Sequence, residues 1–289
     1  MLQDILVTGL VNGGVYALLA IGFSLIFGVA RIVNIAHTAF YMLAAYACYL
    51  LLVEAGLGLV WAAPIAVIAV VALALVCYKL IIEPVRQHES AVLIATIALA
   101  LIFQELALLK FGGQYLGIPS TLSGVVSVLG VSIPLQRLLI VAVAAVMLVA
   151  TWTLLYRTRL GLAIRATAND LEVANLMGMN VDRVAMATVA ISVALAAIAG
   201  VVVAPVFVVD PFMWLSPLVT MLAIVVLGGL GSLKGSLIGA LVIGYAEAIT
   251  VFALPQGGYL KGAVALSIMV AVLLIRPEGL FGVAFEEER

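Results

Sequence analysis

The sequence predicts an all-α fold, a polytopic membrane helix bundle of about eight or nine transmembrane spans with a short polar helix on the cytoplasmic side. Three observations carry that prediction. Of 289 residues, 66% are hydrophobic and only 9% are charged, with a mean hydropathy of +1.36. A water-soluble domain carries roughly 25% charged residues, so lipid must be the solvent for most of this surface. The apolar residues also come in runs near the roughly 20 residues that a helix needs to cross a bilayer. Finally, the charges collect in the breaks between runs.

The runs fall at about 5–29, 36–53, 60–82, 91–109, 137–156, 185–208, 217–230, 236–253 and 260–275. They are longer than barrel strands and do not alternate as such strands do. No linker divides them, so residues 1–289 read as one transmembrane domain with a cytoplasmic loop at about 157–184. The opening MLQDILVTGL has no basic leader and no cleavage site, and reads as the start of the first span. Nine spans place Arg31, Lys79, Arg86, Arg157, Arg159, Arg165, Arg183, Lys234, Arg276 and Arg289 inside, and only Lys110, Arg137 and Lys261 outside. By the positive-inside rule this puts the N-terminus outside and the tail with Glu286, Glu287 and Glu288 in the cytoplasm. Were 217–253 a single interrupted span, the tail would lie outside.

Several classes are excluded. A net charge of −1 with no basic cluster gives no nucleic-acid signal. Cys48 and Cys77 sit in apolar runs without metal-ligand spacing and read as small core residues. No metal and no cofactor is expected. Lys234 is ringed by glycines, but it is followed by Gly235 where a phosphate-binding loop needs serine or threonine. The loop at 112–136 contains GGQYLGIPSTLSG, a turn-rich stretch with room for a short surface helix and a possible docking surface.

Polar and small residues pattern the spans. Gly9, Gly13 and Ala17 recur every four residues in the first, a face on which helix backbones can approach closely. Asn12 and Tyr16 form a neighbouring strip, fit either for interhelical bonding or for lining a path. Asn34, His37 and Tyr41 follow at helical spacing with the same two readings open. Gly231, Gly235 and Gly239 repeat at four-residue intervals and suggest a close-packed, broken helix pair. Glu105 and Glu247 are isolated carboxylates within apolar runs, the residues on which an ion-coupled carrier would depend.

The segment RATANDLEVANLMGMN, residues 165–180, is the most specific feature. Asn169 can cap a short helix, with Asp170 and Glu172 at its positive end. Leu171, Ala174 and Met177 share an apolar face, and Gly178 is placed to end the helix. So short a helix must pack on something. The favoured reading is docking into a groove on a soluble cytoplasmic partner, the plainer one a surface loop helix.

Together these stretches resemble the high-affinity branched-chain amino acid permease family of bacterial ABC importers, across nearly the whole chain. The resemblance rests on GLVNGGVYALLAIGFSLIFG and NIAH, on RATANDLEVANLMGMNVDRV, and on VLGGLGSLKGSLIGALVIGYAEAI. It implies a transport subunit, not an enzyme, in the bacterial inner membrane. It makes Arg165, Ala168, Asn169, Asp170, Leu171, Ala174, Met177 and Gly178 the coupling segment. It implies two cytoplasmic ABC ATPase subunits, a second related permease subunit and a periplasmic substrate-binding protein as partners. The cargo implied is a branched-chain or related hydrophobic amino acid, with amides, urea or aromatic acids as alternatives. One departure is plain: the family commonly has His-Gly-Glu where this chain has His37, Thr38 and Ala39.

Overall fold

The computed structural model describes residues 1–119, 124–128 and 131–282. The acidic tail at 286–289 lies outside the described residues. Among the described residues, eight helices are long and apolar enough to cross a bilayer. They are α1 (Leu2–Ala30), α2 (His37–Glu54), α3 (Leu59–Val85), α4 (Glu89–Phe111), α5 (Leu135–Arg157), α8 (Val181–Val203), α10 (Leu233–Ala253) and α11 (Lys261–Ile275), the last prefaced by one 3-10 turn. Between α5 and α8 stand the short α6 (Arg159–Asn169) and α7 (Leu171–Leu176), and before α10 stands α9 (Leu215–Gly228). The loop after α4 holds two short antiparallel strands, β1 (Val125–Val128) and β2 (Val131–Pro134), just after the turn-rich stretch; 112–119 form no helix, and 120–123, on which the surface-helix expectation also falls, lie outside the described residues.

The 14 residues of α9 span only about 21 Å at 1.5 Å per residue, short of the roughly 30 Å hydrocarbon core. Its end contacts nevertheless carry the chain from face to face. On one side, Leu116 and Val209 exchange backbone hydrogen bonds of 2.9 Å, which joins the segment before α9 to the loop after α4. On the other, the Leu280 and Phe281 amides donate to the Leu227 and Gly228 carbonyls at 2.8 and 3.0 Å. The irregular turns before α9 complete the crossing, and Trp214 Nε1 donates to Gln104 Oε1 at 3.0 Å to anchor them on α4. Nine passages result, with α9 and α10 as separate helices. The two ends of the described chain therefore finish on opposite faces.

Basic residues divide unevenly between those faces. The face bearing α6 and α7 carries Arg31, Lys79, Arg86, Arg157, Arg159, Arg165, Arg183, Lys234 and Arg276. The other carries Lys110, Arg137 and Lys261.

At the centre of the bundle runs α1, apolar all round and packed on α10, α8, α5 and α9. Leu18, Leu19, Phe23 and Ile26 are fully enclosed. Lipid tails are as apolar as leucine, so close backbone approach rather than water exclusion must hold such helices together. Small residues provide it. A Cβ on Gly9 would run into the Tyr245 ring, and one on Gly13 would meet Leu241 Cδ2 at 3.1 Å. From the facing helix, a Cβ on Gly244 would sit 2.6 Å from the Gly13 amide nitrogen. Gly235 and Gly239 press α10 against α9 in the same way, meeting the backbones of Gly228 and Ile224. Gly231 plays another part than its four-residue spacing suggested. It lies in the turn between α9 and α10 at φ +80°, a left-handed conformation open to glycine.

Candidate transport site

Three polar features stand out from this apolar frame: a cavity towards each face, and the external pair α6 and α7.

The first cavity, about 380 Å³, opens near the face opposite α6 and α7. Asn12 and Tyr16 line it from α1, Tyr41 from α2, Ser216 from the start of α9 and Lys261 from the start of α11. Its other walls are mainly apolar, from Val15, Val203, Phe207, Met213 and Pro217. Behind Tyr16 lies Glu247 of α10, 1% exposed. The Tyr16 hydroxyl donates to Glu247 Oε2 at 2.8 Å, and Thr220 Oγ1 of α9 approaches Oε1 at 3.4 Å. Among the described residues Glu247 has no ion-pair partner.

The structure thus brings Asn12, Tyr16 and Tyr41 together on one cavity and places Asn34 and His37 elsewhere. His37 is wholly buried where α1, α2 and α8 meet. Its Nε2 is 3.1 Å from the Leu19 carbonyl, and its Nδ1 is 3.4 Å from Ser192 Oγ, which itself donates to the Gly22 carbonyl at 2.6 Å. Gly22 makes room for the ring, since a Cβ there would lie 3.0 Å from His37 Cε1. Asn34 is buried in the connection between α1 and α2. Glu105 lies on the exposed side of α4, away from the bundle centre.

The second cavity, about 340 Å³, opens on the face of α6 and α7. Ser24 and Gly28 of α1, Arg165 and Asn169 of α6, and Ser232 and Lys234 at the start of α10 contribute to it. Arg165 is held in place: its Nε donates to the Leu155 carbonyl at 3.1 Å, and its guanidinium carbon lies 4.7 Å from the centre of the Tyr156 ring. Residues 12–16 and 24–28 of α1 are separated by about 12 Å of helix. The intervening Leu18, Leu19 and Ile21 are buried, and Ser24 Oγ meets Ser236 Oγ at 2.6 Å. This conformation therefore has a vestibule towards each face and a packed barrier between them.

Outside the membrane, α6 begins at Thr158, whose Oγ1 accepts from the Gly161 amide at 3.0 Å. Asn169 closes α6 instead of capping the next helix. The cap of α7 is Asp170, whose Oδ1 accepts from the Val173 amide at 2.9 Å. Both residue types cap well, and the extended backbone at Asp170 decides between them. Gly178 ends the turn at φ +81°. The expected apolar face is split by the fold. Ala174 points inward and is 2% exposed, because only a small side chain lets α7 lie close to the bundle. Outward stand Val173, Leu176 and Met177, at 48%, 86% and 77% exposure. These lie at i, i+3 and i+4 and share one face. Ala168 packs on the core from α6, near Gly28.

Just beyond the α7 segment, Asp182 at the start of α8 binds Arg86 at 2.7 Å, which ties α8 to the loop after α3. That hydrogen bond raises the guanidinium above its ordinary pKa. Both partners are substantially exposed, so the pair contributes about 0–1 kcal/mol and serves mainly to fix geometry.

A multi-pass helix bundle with a polar vestibule towards each face and an apolar-tipped helix outside it is built as a membrane transport subunit. Residues 5–273 match the family described as the permease component of the branched-chain amino acid transport system, and the chain belongs to that family. It is 30% identical to the high-affinity branched-chain amino acid transport system permease protein LivH of Escherichia coli K12, over 95% of this chain and 93% of that one. It is 32% identical to BraD, the corresponding permease protein of Pseudomonas aeruginosa, over 96% and 94%. A probable LivH of Methanocaldococcus jannaschii is 27% identical over 98% and 93%. Among solved structures, a chain of PsaBC from Streptococcus pneumoniae, determined with a Fab, shares the fold with a TM-score of 0.56 at 15% identity, over 95% of this chain and 92% of that one.

Sequence reasoning missed Ser216 and Lys261 at the first cavity and Thr220 behind it, against Glu247. A threonine, a serine and a lysine near span ends carry no signal of their own, and only the fold gathers them.

Proposed function

We propose that the chain is one membrane-spanning subunit of an inner-membrane ABC importer that moves branched-chain or related hydrophobic amino acids into the bacterial cell. The names of its relatives support the cargo. The observation that carries the mechanism is the exposed face of Val173, Leu176 and Met177 on a helix set among charged residues. Apolar side chains that project into water at 77–86% exposure mark a surface that a partner covers. In this reading α6 and α7 are cytoplasmic, the N-terminus is periplasmic and the C-terminus cytoplasmic, as the split of basic residues supports. Two ABC ATPases dock on the coupling helices, one on this chain and one on a second, related permease. Their closure tilts α7, the short connection through Gly178 carries the motion into α8, and the Arg86–Asp182 pair passes it from α8 to the loop after α3. The vestibule beside Tyr16 then receives substrate from a periplasmic binding protein, and the one beside Arg165 releases it.

The buried Glu247 supports a second reading, an ion-coupled carrier that works alone. Co-expression with the two ATPase subunits and the second permease separates the two. The importer reading predicts a detergent-stable complex of one copy of each permease with two ATPase subunits. Isolation of this chain alone, with no ATPase retained, contradicts it.

A further inference from the structure

We infer that Tyr16, backed by Glu247, and Lys261 form a subsite for the ammonium and carboxylate groups of a zwitterionic amino acid. The inference rests on the importer reading and specifies how its cargo is held.

A carboxylate within a membrane-embedded helix is costly to retain unless something compensates it. Glu247 has two hydroxyl partners, on α1 and α9, and among the described residues no cation within ion-pair distance, Lys261 acting on it only through space. Tyr16 stands between it and the cavity. A phenol has one proton, and Tyr16 gives it to Glu247. Its oxygen, which the Thr220 hydroxyl also approaches, keeps a lone pair to accept with, and the carboxylate behind makes it a stronger acceptor. Asn12, one helical turn before Tyr16, lines the same cavity and adds a side-chain carbonyl. This wall suits a donor with several N–H groups and a positive charge, which describes an ammonium ion. Lys261 lines the same cavity with the opposite charge and suits a carboxylate. The remaining walls are largely apolar, and the volume of about 380 Å³ lies in the range of roughly 300–1,000 Å³ usual for small-molecule sites. An ammonium, a carboxylate and an aliphatic side chain together make an α-amino acid. Amides and urea lack both charges, and simple carboxylic acids lack the ammonium.

If Glu247 were only a staple between α1, α9 and α10, glutamine would serve equally, since its amide can accept from Tyr16 and reach Thr220. The test therefore uses Glu247→Gln, Glu247→Asp and Tyr16→Phe in the complete importer in proteoliposomes, with leucine as probe. The subsite predicts initial leucine uptake reduced about tenfold or more in Glu247→Gln and Tyr16→Phe, the scale of one charge-assisted hydrogen bond, with partial recovery in Glu247→Asp. Wild-type uptake in Glu247→Gln overturns it. Should the variants misfold, the wild-type complex decides without its binding protein. Leucine must then compete for radiolabelled leucine while 4-methylpentanoate, the same chain without the ammonium, does not; equal competition overturns the subsite. A wild-type importer that takes up no aliphatic amino acid contradicts the importer reading itself. Normal wild-type uptake with an unaffected Glu247→Gln contradicts the subsite alone.

Discussion

Replacing Leu176 and Met177 together by aspartate abolishes capture of the ATPase subunits while the permease still inserts and folds. That is the largest effect expected on function. Both side chains are mostly in water, at 86% and 77% exposure, so neither supports the bundle. On a docking helix they are the anchors that a partner groove would enclose, and anchors of this kind contribute about 2 kcal/mol or more each. Aspartate would also bring an unpaired charge into that groove. Retention of the ATPases on the tagged variant is the measurement, and capture at the wild-type level would remove α7 as the docking element. Ala174 is the wrong residue for this experiment. It is buried at 2%, so a large residue there would dislodge α7 from its own bundle and confuse folding with docking.

Gly244→Val produces the largest expected loss of stability. The Cβ it adds would lie 2.6 Å from the Gly13 amide nitrogen and 2.9 Å from the Gly9 carbonyl oxygen. Both obstacles are backbone, which cannot rotate aside as a side chain can. Overpacking of a close interface costs about 1–3 kcal/mol, and here it falls where α10 meets the central α1. The unfolding midpoint in detergent should fall clearly below that of Gly262→Val, a control position with nothing within 4 Å. Equal midpoints would show that the α1–α10 contact is more forgiving than its geometry indicates.

The spans were legible in the sequence because a bilayer demands long apolar runs, whatever the tertiary contacts. Where that demand weakens, so does the reading. α9 is too short to be counted as a span by length alone, and it becomes a crossing only through contacts at Leu227, Gly228 and Val209. At the polar segment the residue types announced a short helix, while the cap moved one position, from Asn169 to Asp170. Ala174 belongs to an apolar stripe in sequence, and periodicity cannot say which edge of a narrow stripe faces the bundle. Gly231 follows the four-residue rhythm of Gly235 and Gly239 but sits in a turn. At the cavity, Asn12, Tyr16 and Tyr41 carried a polar signal in apolar surroundings. The link from Tyr16 to Glu247 did not, because the two are 231 positions apart and meet only after α1 and α10 pair. His37 carried the same signal as Asn12, and its contacts with Leu19 and Ser192 lie away from that cavity.

The central claim, a permease subunit driven by separate ATPases, is tested most directly by leucine uptake into proteoliposomes under two driving forces. With the second permease, both ATPases, the binding protein and ATP, uptake should proceed against a gradient and stop when ATP is replaced by a non-hydrolysable analogue. With this chain alone and an imposed proton or sodium gradient, uptake should stay at the level of empty liposomes. Gradient-driven uptake by the chain alone, indifferent to ATP, would contradict the account and make Glu247 the coupling residue of a secondary carrier.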